Sequence, residues 1–148
     1  MFKNIVVGID GSENAKHALT LACDLANKYE SEIHLVHTPQ PHTVAFALGA
    51  VASYHVVTTM PSAGEVADAS EKILSAGRKL AAEHGQTITH SYGNQGDPAD
   101  ELIACADNCG ADLIVTGRRG LGSVGALVQG STSQKVNHLA KCACLSVA

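Results

Sequence analysis

Gly117, Gly120 and Gly130 stand around a short bridge that ends in three hydroxyl residues, Ser131, Thr132 and Ser133. Glycine lets backbone amides come close to a ligand, and successive amides can form a cradle for an anion. A helix starting at Ser131 would add the free N–H groups and positive dipole end that suit a phosphate. The same residues also fit a plainer reading. Ser131 and Gln134 have the spacing of a helix capping box, and Gly117 could simply end a strand. The stretch is not a Walker loop, because no Gly-Lys-Ser/Thr follows at the required distance.

Gly8-Ile9-Asp10-Gly11-Ser12 is the other candidate loop. It lacks the G-x-G-x-x-G spacing of a dinucleotide fold. Asp10 has two readings, a direct ligand contact or an Asx residue that shapes its own turn.

Both loops follow short apolar runs. Lys3 to Ile9 and Asp112 to Thr116 read as strands buried on both faces. Ser12 is placed to cap a helix running to about Tyr29, with Ala15, Ala18, Leu19, Ala22, Leu25 and Ala26 on one face. Glu32 to Thr38 is a second strand, stopped by Pro39 and Pro41. Gln40 to Pro61 has no assigned structure; its apolar part, Val44 to Val57, is read first as core packing, with a lid or dimer contact as alternatives. A helix follows from Ser62, capped with Glu65 and ended near Gly85, burying Val66, Ala69, Ile73, Ala76 and Leu80. Thr87 to Tyr92 is a third strand. Asp97 and Pro98 open a helix that stops at Gly110. Ser131 to Lys141 is the last helix, and Ala143 to Val147 the last strand.

Strands alternating with helices predict a single doubly wound α/β domain over residues 1–148, with a parallel sheet flanked by helices. If the first and fourth strands are neighbours, winding reverses between them, and a ligand crevice opens at their carboxyl ends.

Composition narrows the function classes. Net charge is −4 with ten Lys plus Arg, so no basic face for nucleic acid is expected. No apolar run reaches the roughly 20 residues of a membrane span, and no signal peptide opens the chain, so a cytoplasmic location is expected. Five cysteines are an odd number, which favours reduced thiols over a disulfide framework. Cys105 and Cys109 share a helix face, while Cys142 and Cys144 share one side of a strand. Zinc at these four is set aside, because the usual C-x2-C spacing is missing. His34 and His37 fall on opposite faces of one strand and are not a ligand pair. His17, His84 and His138 are read as exposed or satisfied helix residues.

The spacing G-x2-G-x9-G-S/T formed by Gly117, Gly120, Gly130 and Ser131 resembles the ATP-binding signature of the universal stress protein family. KNIVVGIDGS resembles that family's first strand and Asp-x-Ser turn, HLVHTPQP its second strand, and GDPADELIACADNCGADLIVTGRRG its third helix and fourth strand. The resemblance implies a five-stranded parallel sheet of order 3-2-1-4-5, like that of the adenine nucleotide alpha hydrolases. It implies ATP, with Mg²⁺ or Mn²⁺ bridging the phosphates. The loop Gly8, Ile9, Asp10 and Ser12 would sit at the adenosine, and backbone near Thr38 at adenine. Thr116 and Gly117 would line the ribose and phosphate region. Gly120, Gly130, Ser131, Thr132 and Ser133 would hold the phosphates, with Arg119 adding positive charge.

The family pattern also implies a homodimer through Ala143–Val147, a stress-response role and protein partners. Many members carry Pro where this chain has Gly8 and Ala143. No nucleophile–base pair stands out, so at most slow ATP hydrolysis is expected. A small adenylylating enzyme of related fold is the second reading. A phosphate-accepting module built on Asp10 lacks the clustered acids it would need.

Overall fold

The computed structural model describes residues 1–49, 61–121 and 129–148. The bridge 122–128 and residues 50–60 of the apolar segment lie outside the described residues. The elements in chain order are β1 (Asn4–Gly8), α1 (Glu13–Tyr29), β2 (Glu32–Val36), α2 (Pro41–Ala47) and α3 (Ala63–Glu83). They continue with β3 (His90–Tyr92), α4 (Pro98–Cys109), β4 (Leu113–Gly117), α5 (Ser131–Leu139) and β5 (Ala143–Val147).

All strand pairs are parallel, in the order β3-β2-β1-β4-β5. β1 and β4 are neighbours, with Val6 opposite Ile114, so the winding reverses between them as expected. Helices lie on both faces. Ile5, Val7, Leu35 and Val115 pack with α1 and α3 through Leu19, Ala22, Ile73 and Leu74. Val6, Val36 and Ile114 pack on the other face with Leu102 of α4 and Val136 of α5.

Local signals set most helix starts. Ala15 donates to the Ser12 hydroxyl at 3.2 Å, opening α1. Ser62 and Glu65 form the expected reciprocal capping box at α3. The Asp97 carboxylate accepts from Ala99 and Asp100 at 3.0 and 3.1 Å, with Pro98 in the first turn of α4. Gly110 ends α4 with φ 62°.

Several expectations need correction. α2 was not foreseen. β2 ends at Val36 rather than Thr38, and Pro41 opens this short helix, where Gln40 donates its backbone N–H to Thr43 Oγ1 at 2.9 Å. Within its described part, Val44 is buried while Phe46 and Leu48 are exposed, so core packing holds for only some of that segment. β3 begins at His90 rather than Thr87, and α5 ends at Leu139 rather than Lys141.

The buried face of α3 is rotated from the expected one: Ser70, Leu74 and Gly77 are inside, and Ala76 is exposed. The reason is a close approach. A Cβ on Gly77 would stand 2.8 Å from Ile9 Cδ1 and from Leu35 Cδ2, so any larger residue there would make these side-chain ends shift. On α1, Cys23 rather than Leu25 completes the buried face. No helix among the described residues is long and apolar enough to cross a membrane.

A candidate ligand site at the switch point

Where β1 and β4 end side by side, a cavity of about 340 Å³ opens. Pockets of a few hundred Å³ are the usual size for small ligands. Its wall includes Gly8, Ile9, Asp10 and Ser12 from the β1–α1 loop, and Thr38 just past β2. Thr116, Gly117, Arg119 and Gly120 line it from β4 and the following loop, and Gly130, Ser131, Thr132 and Ser133 from the start of α5. All thirteen residues singled out from the sequence thus share one cavity.

Asp10 fastens the two loops. One carboxylate oxygen accepts from Ser12 N–H at 2.8 Å, closing an Asx turn. The other accepts from Leu121 N–H at 3.0 Å, across the cavity mouth. The turn-shaping reading of Asp10 is therefore realised, and the same side chain also reaches the second loop.

The glycines of that loop act through space rather than through left-handed backbone. None of Gly117, Gly120 and Gly130 has a positive φ. At Gly117 a Cβ would lie 2.9 Å from the backbone of Asn14 and Ala15. At Gly120 it would run into the Asp10 carboxylate. Both positions need a missing side chain because two chain segments meet there.

The start of α5 has an open donor face. Gly130, not Ser131, is the N-cap, and no side chain caps it. The Ser131–Gln134 capping box is thus not formed. The ladder begins with Gln134 N–H bonded to the Gly130 carbonyl at 3.0 Å, so the amides of residues 131–133 precede it. The Ser133 hydroxyl is engaged by the carbonyls of Arg118 and Gly130 at 3.1 and 3.0 Å. It ties the loop to the helix.

Among the described residues, Thr38 and Arg119 on the wall each have a polar atom without a partner. Thr38 is 5 % exposed, and its hydroxyl has no hydrogen bond. Arg119 Nε is likewise buried and unpaired. A buried polar atom left unbonded costs on the order of 1–3 kcal/mol, so both are expected to gain partners from a ligand or water.

The sequence reading missed Gln40, His42, Thr43 and Lys135, which also line the cavity, and gave Asp97 only a capping role. Lys135 lies four residues beyond Ser131, a spacing that could have placed it on the same helix face. It bridges Asp97 at 3.1 Å and Asp100 at 2.8 Å, linking α5 to α4. These bonds to Asp100 and Asp97 push the Lys135 ammonium above its ordinary pKa. The Asp97 carboxyl is held below its usual range, first by the Asp100 amide and then by Lys135.

The universal stress protein family model matches residues 1–148. Universal stress protein YxiE of Bacillus subtilis is 33 % identical, over 99 % of each chain. A universal stress protein solved in complex with cAMP superposes with a TM-score of 0.71 at 24 % identity, covering 99 % of this chain and 97 % of that one. The universal stress protein of Archaeoglobus fulgidus in complex with dAMP superposes with a TM-score of 0.70 at 20 % identity, covering 99 % and 98 %. Fold, strand order and sequence agree: the chain belongs to the universal stress protein family.

Proposed function

We propose that this protein binds ATP, with Mg²⁺ or Mn²⁺ bridging the phosphates, in the cavity between the β1–α1 and β4–α5 loops. Occupancy then sets its conformation and partner contacts in a stress response. The observation that carries this reading is the uncapped N-terminus of α5, opening on a cavity that also holds two unpaired polar groups. Amides at a helix start, in register with its dipole, suit a phosphate. The cAMP and dAMP complexes of structural relatives support an adenine nucleotide as the ligand.

In this reading, residues 130–132 hold phosphate oxygens, and Arg119 and Lys135 supply positive charge. Thr38 and the backbone beside it meet the base. The cation neutralises phosphate charge. Asp10 is a poor candidate to hold it directly, because backbone amides already engage both of its oxygens. Amide bonds to both Asp10 oxygens favour the charged carboxylate and weaken it as a general base, so binding and slow hydrolysis fit better than rapid turnover.

β5 is the outer strand, and Ala143 keeps the N–H that a proline would lack. Two copies pairing along Ala143–Val147 would make a homodimer. The expected compartment is the cytoplasm.

Nucleotide released from purified, denatured protein and identified by mass spectrometry tests the main point. Recovered ATP or ADP, or calorimetric binding of ATP in Mg²⁺, supports it. Protein that carries no adenine nucleotide and binds none in Mg²⁺ overturns it.

A further inference from the structure

Away from the cavity, on the sheet face covered by α4, stands a cluster of a different character. His34 of β2 is 5 % exposed, and neither of its ring nitrogens has a hydrogen-bond partner among the described residues. Buried imidazoles ordinarily bond at least one nitrogen, so a ring with both left over calls for a ligand. One nitrogen of His34 and the sulfurs of Cys105 and Cys109 all lie within 4.8 Å of one another. The two cysteines are a helical turn apart on α4, on the face that meets β2 and β3.

We propose that His34, Cys105 and Cys109 bind a thiophilic divalent cation, with Zn²⁺ as the best fit. This site is independent of the nucleotide reading. Two sulfurs and one imidazole are the donor set that selects zinc over magnesium or calcium. Tetrahedral zinc, with bonds of about 2.0–2.3 Å, holds its ligand atoms roughly 3.3–3.8 Å apart. The sulfurs therefore close in by about 1 Å or less, a shift that side-chain rotation on one helix face can supply. Two thiolates and a neutral imidazole also cancel the charge of Zn²⁺, so no uncompensated ion is buried. The fourth position is left to water or an incoming ligand.

The surroundings favour this arrangement. His34 stacks on His90 of the neighbouring strand, with ring centroids 4.5 Å apart and planes 9° from parallel. That contact fixes the imidazole orientation. Glu32 and His90 form a second group with His34, so a carboxylate oxygen lies within 4.8 Å of the same imidazole.

Cys105 and Cys109 are half-buried rather than sealed, which leaves a route for the cation. Their competing contact is weak: Cys109 Sγ to the Ala106 carbonyl is 3.9 Å. A cysteine thiol ordinarily carries its proton at neutral pH. Binding displaces one proton from each sulfur to solvent. Cys142 and Cys144, equally tempting from sequence, do not join this group among the described residues.

The test uses the reduced, full-length, nucleotide-free protein titrated with Co²⁺, then challenged with Zn²⁺. The proposal expects thiolate-to-cobalt charge-transfer absorption saturating at one equivalent and lost on adding Zn²⁺. Cys105→Ser and Cys109→Ser should each weaken Co²⁺ binding at least about tenfold, while Cys142→Ser and Cys144→Ser leave it unchanged. A second readout needs no variant: Zn²⁺ should protect Cys105 and Cys109, but not Cys142 and Cys144, from alkylation mapped by mass spectrometry. Absence of the thiolate band, an equal loss in the Cys142 or Cys144 variants, or alkylation indifferent to Zn²⁺ would overturn the assignment.

Discussion

The two faces of the sheet are built to different standards. On the α1 and α3 side, the buried cluster is aliphatic apart from Cys23, and α3 comes close enough that a Cβ at Gly77 would make neighbouring side-chain ends shift. On the α4 and α5 side, fewer fully buried aliphatic residues are interleaved with Tyr92 and four half-buried cysteines, next to an unpaired histidine. The mainly aliphatic layer gives stability with few demands for partners, although the Ser70 hydroxyl of α3 is buried there without one among the described residues. A layer with sulfurs and an orphan imidazole gives less, and keeps groups available for chemistry. The first face holds the sheet together; the second face has room to do something.

Truncations can break this contrast most directly. Leu35→Ala, under α1 and α3, is expected to cost about 3–5 kcal/mol, because its void is sealed by close-packed neighbours. Leu102→Ala on α4 should cost less, about 2 kcal/mol, since Leu102 also lines the ligand cavity and its void can fill with water. Urea denaturation of both variants decides; equal costs would erase the distinction between the faces.

Gly77→Ala asks whether the close approach is real. The added methyl meets two side-chain ends rather than backbone, so overpacking is partly relieved, and alanine gains helix propensity. A net loss of about 1–2 kcal/mol is expected in the same assay, and a stabilised variant would contradict the geometry.

Gly120→Ala moves the comparison to the cavity. The new methyl displaces the Asp10 carboxylate from the Leu121 amide. ATP affinity measured by calorimetry should fall about tenfold, which is roughly 1.4 kcal/mol, with little change in the urea midpoint. Unchanged affinity would mean that the Asp10 fastening does not shape the site. Gly117→Ala is a poorer probe, because its methyl would press on the α1 backbone and disturb the fold as well.

The smallest effect concerns acid. His37 is buried, and burial holds its pKa below the ordinary value, although the Ile9 carbonyl at 2.9 Å and Asp10 oppose this. The unfolded chain then takes up the proton first as pH falls below about 6.5. Its contribution to stability is complete above that pH and shrinks below it. His37→Gln should flatten that part of the stability–pH curve; an unaltered slope would show that His37 does not titrate on unfolding.

The sequence made the skeleton legible because its signals are local. Ser12, the Ser62–Glu65 pair and Asp97-Pro98 each mark a helix start within a few residues, and the apolar runs of β1 and β4 declare themselves. The cavity was legible through loop chemistry placed at strand ends. The short α2 was not, because Pro39 and Pro41 signal an interruption more strongly than a seven-residue helix signals itself. The histidine–cysteine cluster was least visible. His34 was weighed against His37 on its own strand, whereas its neighbours come from β3 and α4 and meet it only through the sheet order. The glycines of the β4–α5 loop suggest close approach to a ligand, whereas Gly117 and Gly120 give clearance to other segments of the chain itself.

Arg118 carries one last consequence. Its N–H donates to the Val147 carbonyl at 2.6 Å, and its own carbonyl accepts from Gly130 N–H at 2.7 Å. Outermost strand, loop residue and helix start are therefore wired in series through a single residue. One route from the sheet's rim to the α5 amides runs through the two soft torsions of Arg118. Whatever grips β5 from outside thus has its hand on the same lever as whatever sits at the head of α5.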